Sequence, residues 1–197
     1  MESQIEQSCP ICGVENSLKM LAHTSEIPYF GEHTQITMSC HSCGWRVTDF
    51  IPAEGKKPGS WKLVLNSEEH ISSRVIRSSS CTVRVVELGL EVTPGSSSTG
   101  YISNVEGVLD RFSSAIGTIR RQADDEGDGD ILKKCDDLLS KIDMVKNGLL
   151  TVTLELLDPV GHSQILHHEA VSSEISDEEA KELDPGPVYP VFDVSNG

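Results

Sequence analysis

The sequence has no apolar segment that could cross a bilayer, because no apolar run approaches the ~18 residues that a membrane-spanning helix needs. Its start, residues 1–7, also lacks the basic residues and the apolar centre of a secretory signal. We therefore expect a soluble protein of the cytoplasm or nucleus, with the cytoplasm preferred. Thiols stay reduced there, so the six cysteines favour a metal site over disulfides.

Positive charge is also scarce. The chain has 16 Lys and Arg residues against 31 Asp and Glu residues, which gives a formal net charge of −15. A surface this acidic repels the phosphate backbone of nucleic acids, so nucleic acid is not the expected partner. A basic protein surface is the better match.

Motifs of common catalytic sites are lacking as well, since the chain has neither a Gly-rich phosphate loop nor a nucleophile elbow. An enzyme hypothesis would rest on His162, His167 and His168 as a metal or acid–base cluster. If their segment is a strand, His167 and His168 point to opposite faces and do not easily enter one site. We therefore predict surface histidines and no enzymatic activity. A metal ion bound outside the cysteines would reopen that question.

Four of the six cysteines form two CxxC motifs, Cys9 with Cys12 and Cys40 with Cys43, and each motif is followed directly by glycine. A CxxC loop brings two sulfurs to one side of a tight turn, and glycine permits the positive φ that such a turn needs. Two facing knuckles of this kind provide the tetrahedral set of four thiolates that suits Zn²⁺. Because four thiolates leave no open coordination position, we predict one structural zinc ion.

The spacing of the two motifs fits this interpretation. Residues 13–39 separate them, a gap longer than the common ~15–20 residues and consistent with a long hairpin between the knuckles. The alternative, a redox-active CxxC pair, would be expected beside a βαβ pattern, which the sequence lacks. His41, inside the second knuckle, is interpreted as an exposed loop residue, and Cys81 and Cys135 as buried small apolar residues.

Hydrophobic patterning divides the chain into a zinc ribbon, residues 1–55, and a mainly β domain, residues 56–197. A helical hairpin is predicted within the β domain at about residues 103–147. In the ribbon, the alternation that follows the second knuckle slips, because Asp49 takes the next expected apolar position. From Glu169 onward the chain is an acidic, Pro-containing tail with a net charge of −7 (1 − 8). A short helix is predicted near residues 177–183, and Pro185, Pro187 and Pro190 predict an extended or disordered end.

The patterns also predict local details of the helices and strands. Ser103 and Glu106 are expected to form a capping box at the start of the first helix. Residues 124–130 are expected to form the turn between the helices. Residues 162–167 are expected to pair back on the strand of residues 149–157 as a β-hairpin.

These residues together resemble the ZPR-type zinc-finger family. The resemblance begins at CPIC, residues 9–12, and follows the family's order of motifs to about residue 168, so it covers most of the chain. The further motifs that carry it are IPYFGEHTQITMSCHSCGWR (27–46), SRVIRSSSCTVRVVELGLEV (73–92), SNVEGVL (103–109) and LLDPVGHS (156–163). Val47, Val86, Gly89 and His162 depart from the residues common in the family, but the predicted zinc ligands do not.

The resemblance implies a mainly β fold, in which a four-cysteine zinc ribbon precedes a double-stranded β-helix (jelly-roll-like) domain with an inserted α-hairpin. It also implies binding to translation elongation factor 1-alpha, with a preference for its GDP-bound form, and assistance in the folding of that factor. Family members were also named for binding receptor tyrosine kinases, which a lone module is less expected to do. Eukaryotic members carry two such modules in tandem, whereas this chain has one, as archaeal members do.

We therefore predict a monomer that binds elongation factor 1-alpha. Tyr29, Phe30 and Trp45 are candidates either for exposed contacts with the partner or for packing between the ribbon and the β domain. The alternative function is a zinc ribbon that binds nucleic acid in transcription or translation. Residues 1–55 contain two basic and seven acidic residues, a net charge of −5 (2 − 7), whereas a ribbon that binds phosphates should be basic.

Overall fold

The computed structural model describes residues 2–53, 57–184 and 186. An N-terminal antiparallel sheet contains four strands in the spatial order β1-β2-β3-β4. These strands are β1 (Glu2–Ile5), β2 (Leu18–Ile27), β3 (Gly31–Cys40) and β4 (Arg46–Pro52). The β2–β3 hairpin aligns ten residue pairs between the two knuckles. This long hairpin confirms the interpretation of the wide spacing between the CxxC motifs.

The second part of the chain is a jelly roll built from two further antiparallel sheets. The larger sheet has the order β12-β5-β10-β7-β8, and the smaller sheet has the order β11-β6-β9. The strands are β5 (Gly59–Leu65), β6 (Arg74–Arg77), β7 (Thr82–Val85), β8 (Leu90–Val92), β9 (Tyr101–Asn104), β10 (Val152–Asp158), β11 (Gln164–Leu166) and β12 (Val171–Glu174). A short helix α1 (Glu68–Ile71) connects β5 to β6.

The predicted helical hairpin is confirmed and lies between β9 and β10. Its helices are α2 (Val105–Glu126) and α3 (Gly129–Lys146). The turn between them is shorter than the predicted residues 124–130. Gly127 ends α2 in the left-handed conformation, with φ +73°, and Asp128 caps α3 by accepting hydrogen bonds from two backbone N–H groups. Relative to the predicted turn, α2 extends three residues further and α3 begins two residues earlier.

The start of α2 differs from the prediction, because the N-cap is Asn104 and the Ser103–Glu106 capping box is wrong. Asn104 Oδ1 accepts a hydrogen bond from the Gly107 N–H at 2.9 Å. Ser103 instead lies in β9, where it pairs with Val75 of β6. The long-range strand pairing thus sets the helix start one residue later than the local motif indicates.

The predicted hairpin of residues 162–167 with the preceding strand is also wrong. Residues 158–161 do form a turn, in which the Gly161 N–H donates to the Asp158 carbonyl at 3.1 Å. The chain then crosses to the other sheet, where β11 pairs with β6. Strand β10 instead pairs with β5 on one side and with β7 on the other. Because a jelly roll alternates between two sheets, consecutive strands need not be neighbours.

The main hydrophobic core fills the space between the jelly-roll sheets and the helical hairpin. It contains 19 buried residues, including Leu63, Leu109, Ile142 and Leu154. A separate, smaller cluster lies in the ribbon and contains six buried residues, two of them cysteines. The two clusters divide the chain into a module with a large apolar core and a module with a small one.

The C-terminal part of the chain is described only in part. The predicted short helix near residues 177–183 is confirmed as α4 (Asp177–Glu182), which begins with a Ser176–Glu179 capping box. Pro185, Pro187 and Pro190, on which the prediction of an extended tail rests, lie outside the described residues. Among the residues that are described, no helix combines the length and the apolar character needed to span a membrane.

Candidate metal centre

The four cysteines of the CxxC motifs converge at one end of the ribbon. Their sulfur atoms all lie within 4.8 Å of one another. The Cys9 and Cys43 sulfurs are 3.7 Å apart, and the Cys12 and Cys40 sulfurs are 3.8 Å apart. A tetrahedral Zn²⁺ ion with Zn–S bonds of about 2.3 Å holds its sulfurs about 3.8 Å from one another. The four predicted ligands therefore fit one zinc ion in both chemistry and spacing.

Each knuckle is closed by its glycine. The Gly13 N–H donates to the Cys9 carbonyl at 2.9 Å, and the Gly44 N–H donates to the Cys40 carbonyl at 3.0 Å. Both glycines have positive φ, +70° and +76°, which a residue with a Cβ atom adopts only with strain. The tight turns leave the first cysteine of each pair buried and the second exposed.

Ser17 is a buried residue of the site that the sequence analysis did not identify. Its hydroxyl lies 3.3 Å from the Cys40 sulfur, and its carbonyl accepts from the His41 N–H at 3.0 Å. The hydrogen bond between Cys40 and Ser17 is the main reason that the pKa of Cys40 falls to about 6. A serine next to a strand carries no motif, so only the folded ribbon reveals this contact.

The electrostatics of the cluster favour a cation at its centre. The Trp45 N–H alone would lower the pKa of Cys43, but burial and the hydrogen bonds to the three neighbouring thiols raise it to about 12. Four sulfurs this close cannot all carry negative charge without a counter-ion, since like charges at such distances repel strongly. A bound divalent cation supplies that counter-charge and, with four thiolates, has no free coordination position.

The remaining cysteines and His41 lie where the sequence analysis placed them. Cys81 and Cys135 are buried in the jelly-roll core, and burial raises the pKa of Cys81 to about 12. His41 is exposed within the second knuckle. None of these three belongs to the four-sulfur cluster.

The three aromatic candidates have different environments. Trp45 is half-buried and packs against the small core of the ribbon. Tyr29 is 76% exposed at the tip of the β2–β3 hairpin, where the Arg74 guanidinium lies 5.4 Å from the centre of its ring. Phe30 is half-buried beside it. Packing therefore explains Trp45, whereas Tyr29 remains accessible to a partner.

The ribbon is joined to the jelly roll through β4, and Asp49 is the central residue of that contact. The Asp49 carboxylate accepts from the Ser79 N–H at 2.9 Å and from the Ser79 hydroxyl at 2.5 Å. Next to it, the Thr99 hydroxyl donates to the Thr48 carbonyl at 2.9 Å. Burial raises the pKa of Asp49 in spite of these hydrogen bonds. The slip in the apolar alternation thus marks an intermodule contact.

Asp158, in the turn after β10, forms a second network that the sequence analysis did not identify. Its buried carboxylate accepts from the hydroxyls of Ser78, Ser80 and Ser163 at 2.7–2.8 Å. Burial alone would raise the pKa of Asp158, but these hydrogen bonds, with one from the Val160 N–H, outweigh it and lower the pKa. The network connects the turn after β10 to the segment between β6 and β7.

The histidines also differ from the prediction. His167 and His168 follow β11 in a turn, so the strand on which the expectation of opposite faces depended does not include them, and their ring centres lie 4.4 Å apart. The His167 ring also lies 4.7 Å from that of His70, a buried residue that the sequence analysis did not single out. Nothing in the local sequence connects residues nearly 100 positions apart.

Family models match both modules of the chain. A ZPR1 zinc-finger domain matches residues 3–57, and a ZPR1 jelly-roll domain matches residues 69–182. The chain belongs to the ZPR1 family. Membership confirms the resemblance inferred from the motifs. The two matched domains also confirm the predicted order of a zinc ribbon followed by a jelly roll.

Relatives of similar length occur in archaea. A ZPR1-like protein of Methanocaldococcus jannaschii is 37% identical over 186 residues, which cover 94% of this chain and 92% of that protein. A ZPR1-like protein of Pyrococcus horikoshii is 35% identical over 179 residues, which cover 91% of this chain and 80% of that protein. These ZPR1 relatives share both modules in a single copy.

A ZPR1 relative in Schizosaccharomyces pombe is longer. It is 25% identical over 166 residues, which cover 82% of this chain but 34% of that protein, and it is named a zinc finger chaperone. This chain therefore corresponds to about one third of the fungal protein.

Proposed function

We propose that this protein binds translation elongation factor 1-alpha in the cytoplasm and assists its folding or regulation. The proposal is one of binding without catalysis, because the cysteine site has no coordination position for a substrate. Support comes from family membership and from the chaperone name of the fungal relative. The observation that carries it is an exposed apolar surface beside the zinc knuckle.

That surface lies on the ribbon. Ile11 and Val14, three positions apart in the first knuckle, are 52% and 43% exposed. Apolar side chains held at the surface by a rigid, metal-closed loop are typical of contact sites for another protein. Because the four cysteines fix the knuckle, these side chains are presented without the entropic cost of ordering a flexible loop.

Charge supports the same kind of partner. Residues 124–130, which include the end of α2, the turn and the start of α3, are exposed and contain five acidic residues and no basic residue. Exposed acidic segments accelerate encounter with a basic protein surface and disfavour nucleic acid. The ribbon's own shortage of basic residues argues in the same direction.

The test is a binding and refolding assay with purified components. The zinc-loaded protein is mixed with elongation factor 1-alpha from the same organism, loaded with GDP or GTP, and complex formation is measured by co-sedimentation. We expect retention of the factor, stronger with GDP, and an increased yield of active factor after dilution from denaturant. Absence of binding with either nucleotide would refute the proposal.

Matched variants distinguish a specific contact from nonspecific hydrophobic binding. Ile11→Ser with Val14→Ser removes the apolar knuckle surface while leaving all four cysteines in place. Val171→Ser changes an apolar residue on β12 of the jelly roll that is 64% exposed. We expect the double variant to bind the factor at least about 10-fold more weakly, a loss of about 1.4 kcal/mol, and the control to bind normally. Equal binding by both variants would exclude the knuckle as the contact surface.

A further inference from the structure

A second cluster of metal-binding side chains lies in the jelly roll, far along the chain from the four cysteines. His70 lies on α1, whereas His167 and Glu169 lie in the turn between β11 and β12. One potential ligand atom from each of these three residues lies within 4.8 Å of the other two. The fold therefore brings two imidazoles and a carboxylate from separate segments to one point.

The position of His70 is set by two hydrogen bonds. Its Nδ1 atom lies 2.9 Å from the Ser67 hydroxyl, and its Nε2 atom lies 3.0 Å from a Glu169 carboxylate oxygen. The ring is buried, so it cannot turn freely to solvent. A hydrogen-bond partner on one ring nitrogen commonly fixes the other nitrogen of a metal-binding histidine towards the ion. Ser67 is that partner here.

His167 completes the group from the other side. Its Nδ1 atom lies 3.2 Å from the Glu169 backbone N–H, a contact that holds the ring beside residue 169 and that an ion bound through Nδ1 would replace. His168, the next residue, places its Nε2 atom 3.6 Å from the other Glu169 oxygen. The hydrogen bond between His70 and Glu169 could form without the imidazoles of His167 and His168 nearby. The meeting of His70, from a distant segment, with His167 and the Glu169 carboxylate is the arrangement that a metal ion would use.

We propose that His70, His167 and Glu169 bind a divalent transition-metal ion, and that Zn²⁺ is the ion expected. Two imidazoles and one carboxylate form a donor set that suits Zn²⁺, and the exposure of Glu169 leaves a further coordination position accessible to water. This site is separate from the cysteine cluster and does not depend on the proposed binding of elongation factor 1-alpha.

The consequence for the fold is a cross-link between α1 and the turn that precedes β12. Within the described part of the chain, β12 is an edge strand whose one neighbour is β5, and all four of its residues are exposed. A metal ion bound to α1, which follows β5, and to the turn before β12 would hold this exposed edge strand in place. We expect the ion to slow hydrogen exchange in β12 more than elsewhere in the jelly roll.

The first experiment counts metal ions. Protein saturated with Zn²⁺ and freed of unbound metal is analysed for zinc content, for the wild type and for a variant carrying His167→Gln and Glu169→Gln. We expect two zinc ions per wild-type chain and one per variant chain. His23→Gln, which changes a histidine of the ribbon outside both clusters, is the matched control and should retain two ions. One zinc ion in the wild type, or two in the double variant, would overturn the proposal.

The second experiment identifies the ligands of the added ion. Co²⁺ added to protein with a zinc-filled cysteine site is expected to give weak visible absorption without thiolate charge-transfer bands, because its ligands are nitrogen and oxygen. Ser67→Ala should weaken Co²⁺ binding by roughly 10- to 100-fold, the usual effect of losing the hydrogen-bond partner of a metal-binding histidine. Thiolate bands, or unchanged affinity in Ser67→Ala and in the double variant, would refute the site. Both variants leave the buried His70 in place, so loss of binding can be distinguished from unfolding by circular dichroism.

Discussion

The ribbon and the jelly roll are stabilised by different means, although one chain forms both. Among its described side chains the ribbon has six buried core residues, two of which are the cysteines Cys9 and Cys40. The jelly roll has 19 buried core residues and a helical hairpin that packs into the same core. A sheet with so little apolar burial does not offset its conformational entropy alone, whereas the jelly roll can. The comparison shows that the metal supplies in one module what apolar burial supplies in the other.

Removal of zinc is expected to have the largest effect. The binding free energy of a structural zinc site is on the order of 10–16 kcal/mol and acts as folding energy. After chelation, or in Cys40→Ser, amides of β1–β4 should lose protection from hydrogen exchange while those of the jelly roll keep it. His41→Ala, a change of an exposed residue in the same knuckle, should leave both modules protected. If the amides of β1–β4 stayed protected from hydrogen exchange without zinc, the metal would not be what stabilises the ribbon.

Leu154→Ala tests the other module. Leu154 is fully buried in the central strand β10, so its truncation should lower the free energy of unfolding by about 2–5 kcal/mol. The control Val64→Ala, at an exposed position on the neighbouring strand β5, should cost no more than about 0.5 kcal/mol. Urea unfolding of the zinc-loaded protein measures both, and zinc content should not change. Loss of zinc in Leu154→Ala would show that the stability of the ribbon depends on the jelly-roll core.

Asp158→Asn tests the polar network inside the jelly roll. Because the folded state lowers the pKa of Asp158 below its ordinary value of 3.8, its stabilising effect is present above that value and is lost as the pH falls through the lowered pKa. At pH 7 the variant should lose about 1–3 kcal/mol, because the three serine hydroxyls lose a charged acceptor. Its jelly-roll stability should also depend less on pH below about 4.

Hydrogen exchange of jelly-roll amides is the suitable measurement for this variant, since acid also releases zinc from the ribbon. Asp130→Asn, at an exposed position on α3, is the control and should follow the wild-type pH dependence. If hydrogen exchange of jelly-roll amides in Asp158→Asn kept the wild-type pH dependence in acid, the network would not stabilise the fold through the charge of Asp158.

Asp49→Ala tests the contact between the two modules and is expected to have the smallest effect. The Ser79 N–H and hydroxyl lose their acceptor, but the variant also removes a carboxylate whose burial is unfavourable, as its raised pKa shows. We expect a net loss of about 1 kcal/mol and faster hydrogen exchange in β4 near the contact. Glu26→Ala, an exposed acidic residue on β2, should change neither.

Much of the fold could be predicted because its signals are local. The two CxxC motifs place their sulfurs on tight turns, and the structure brings all four together at the predicted positions. The helical hairpin follows from apolar residues at helical spacing, and its end at Asn147–Gly148 follows from ordinary capping preferences. The buried positions of Cys81 and Cys135 follow from the apolar character of the segments around them.

The errors occurred where a distant partner overrode a local pattern. Ser103 forms a strand pair with Val75 and leaves the N-cap to Asn104, although the sequence motif favours Ser103. β11 pairs with β6 because the jelly roll directs the chain to its second sheet, although a short turn favours a hairpin with β10. In both cases a strand pairing between residues distant in the chain decided the outcome against the local motif.

The sequence by itself determined the zinc ligands, the apolar faces of the helices and the family, because each is marked by short motifs. The sulfurs of Cys9 and Cys43 meet across 34 positions, but each CxxC turn identifies its own pair of ligands. Only the tertiary structure decided that Asp49 joins the modules and that His70 meets His167 and Glu169. The Asp49–Ser79 contact crosses 30 positions, and the His70–Glu169 contact crosses 99. Spacing within a turn or a helix is fixed by backbone geometry, whereas contacts over such distances depend on how the complete sheets pack.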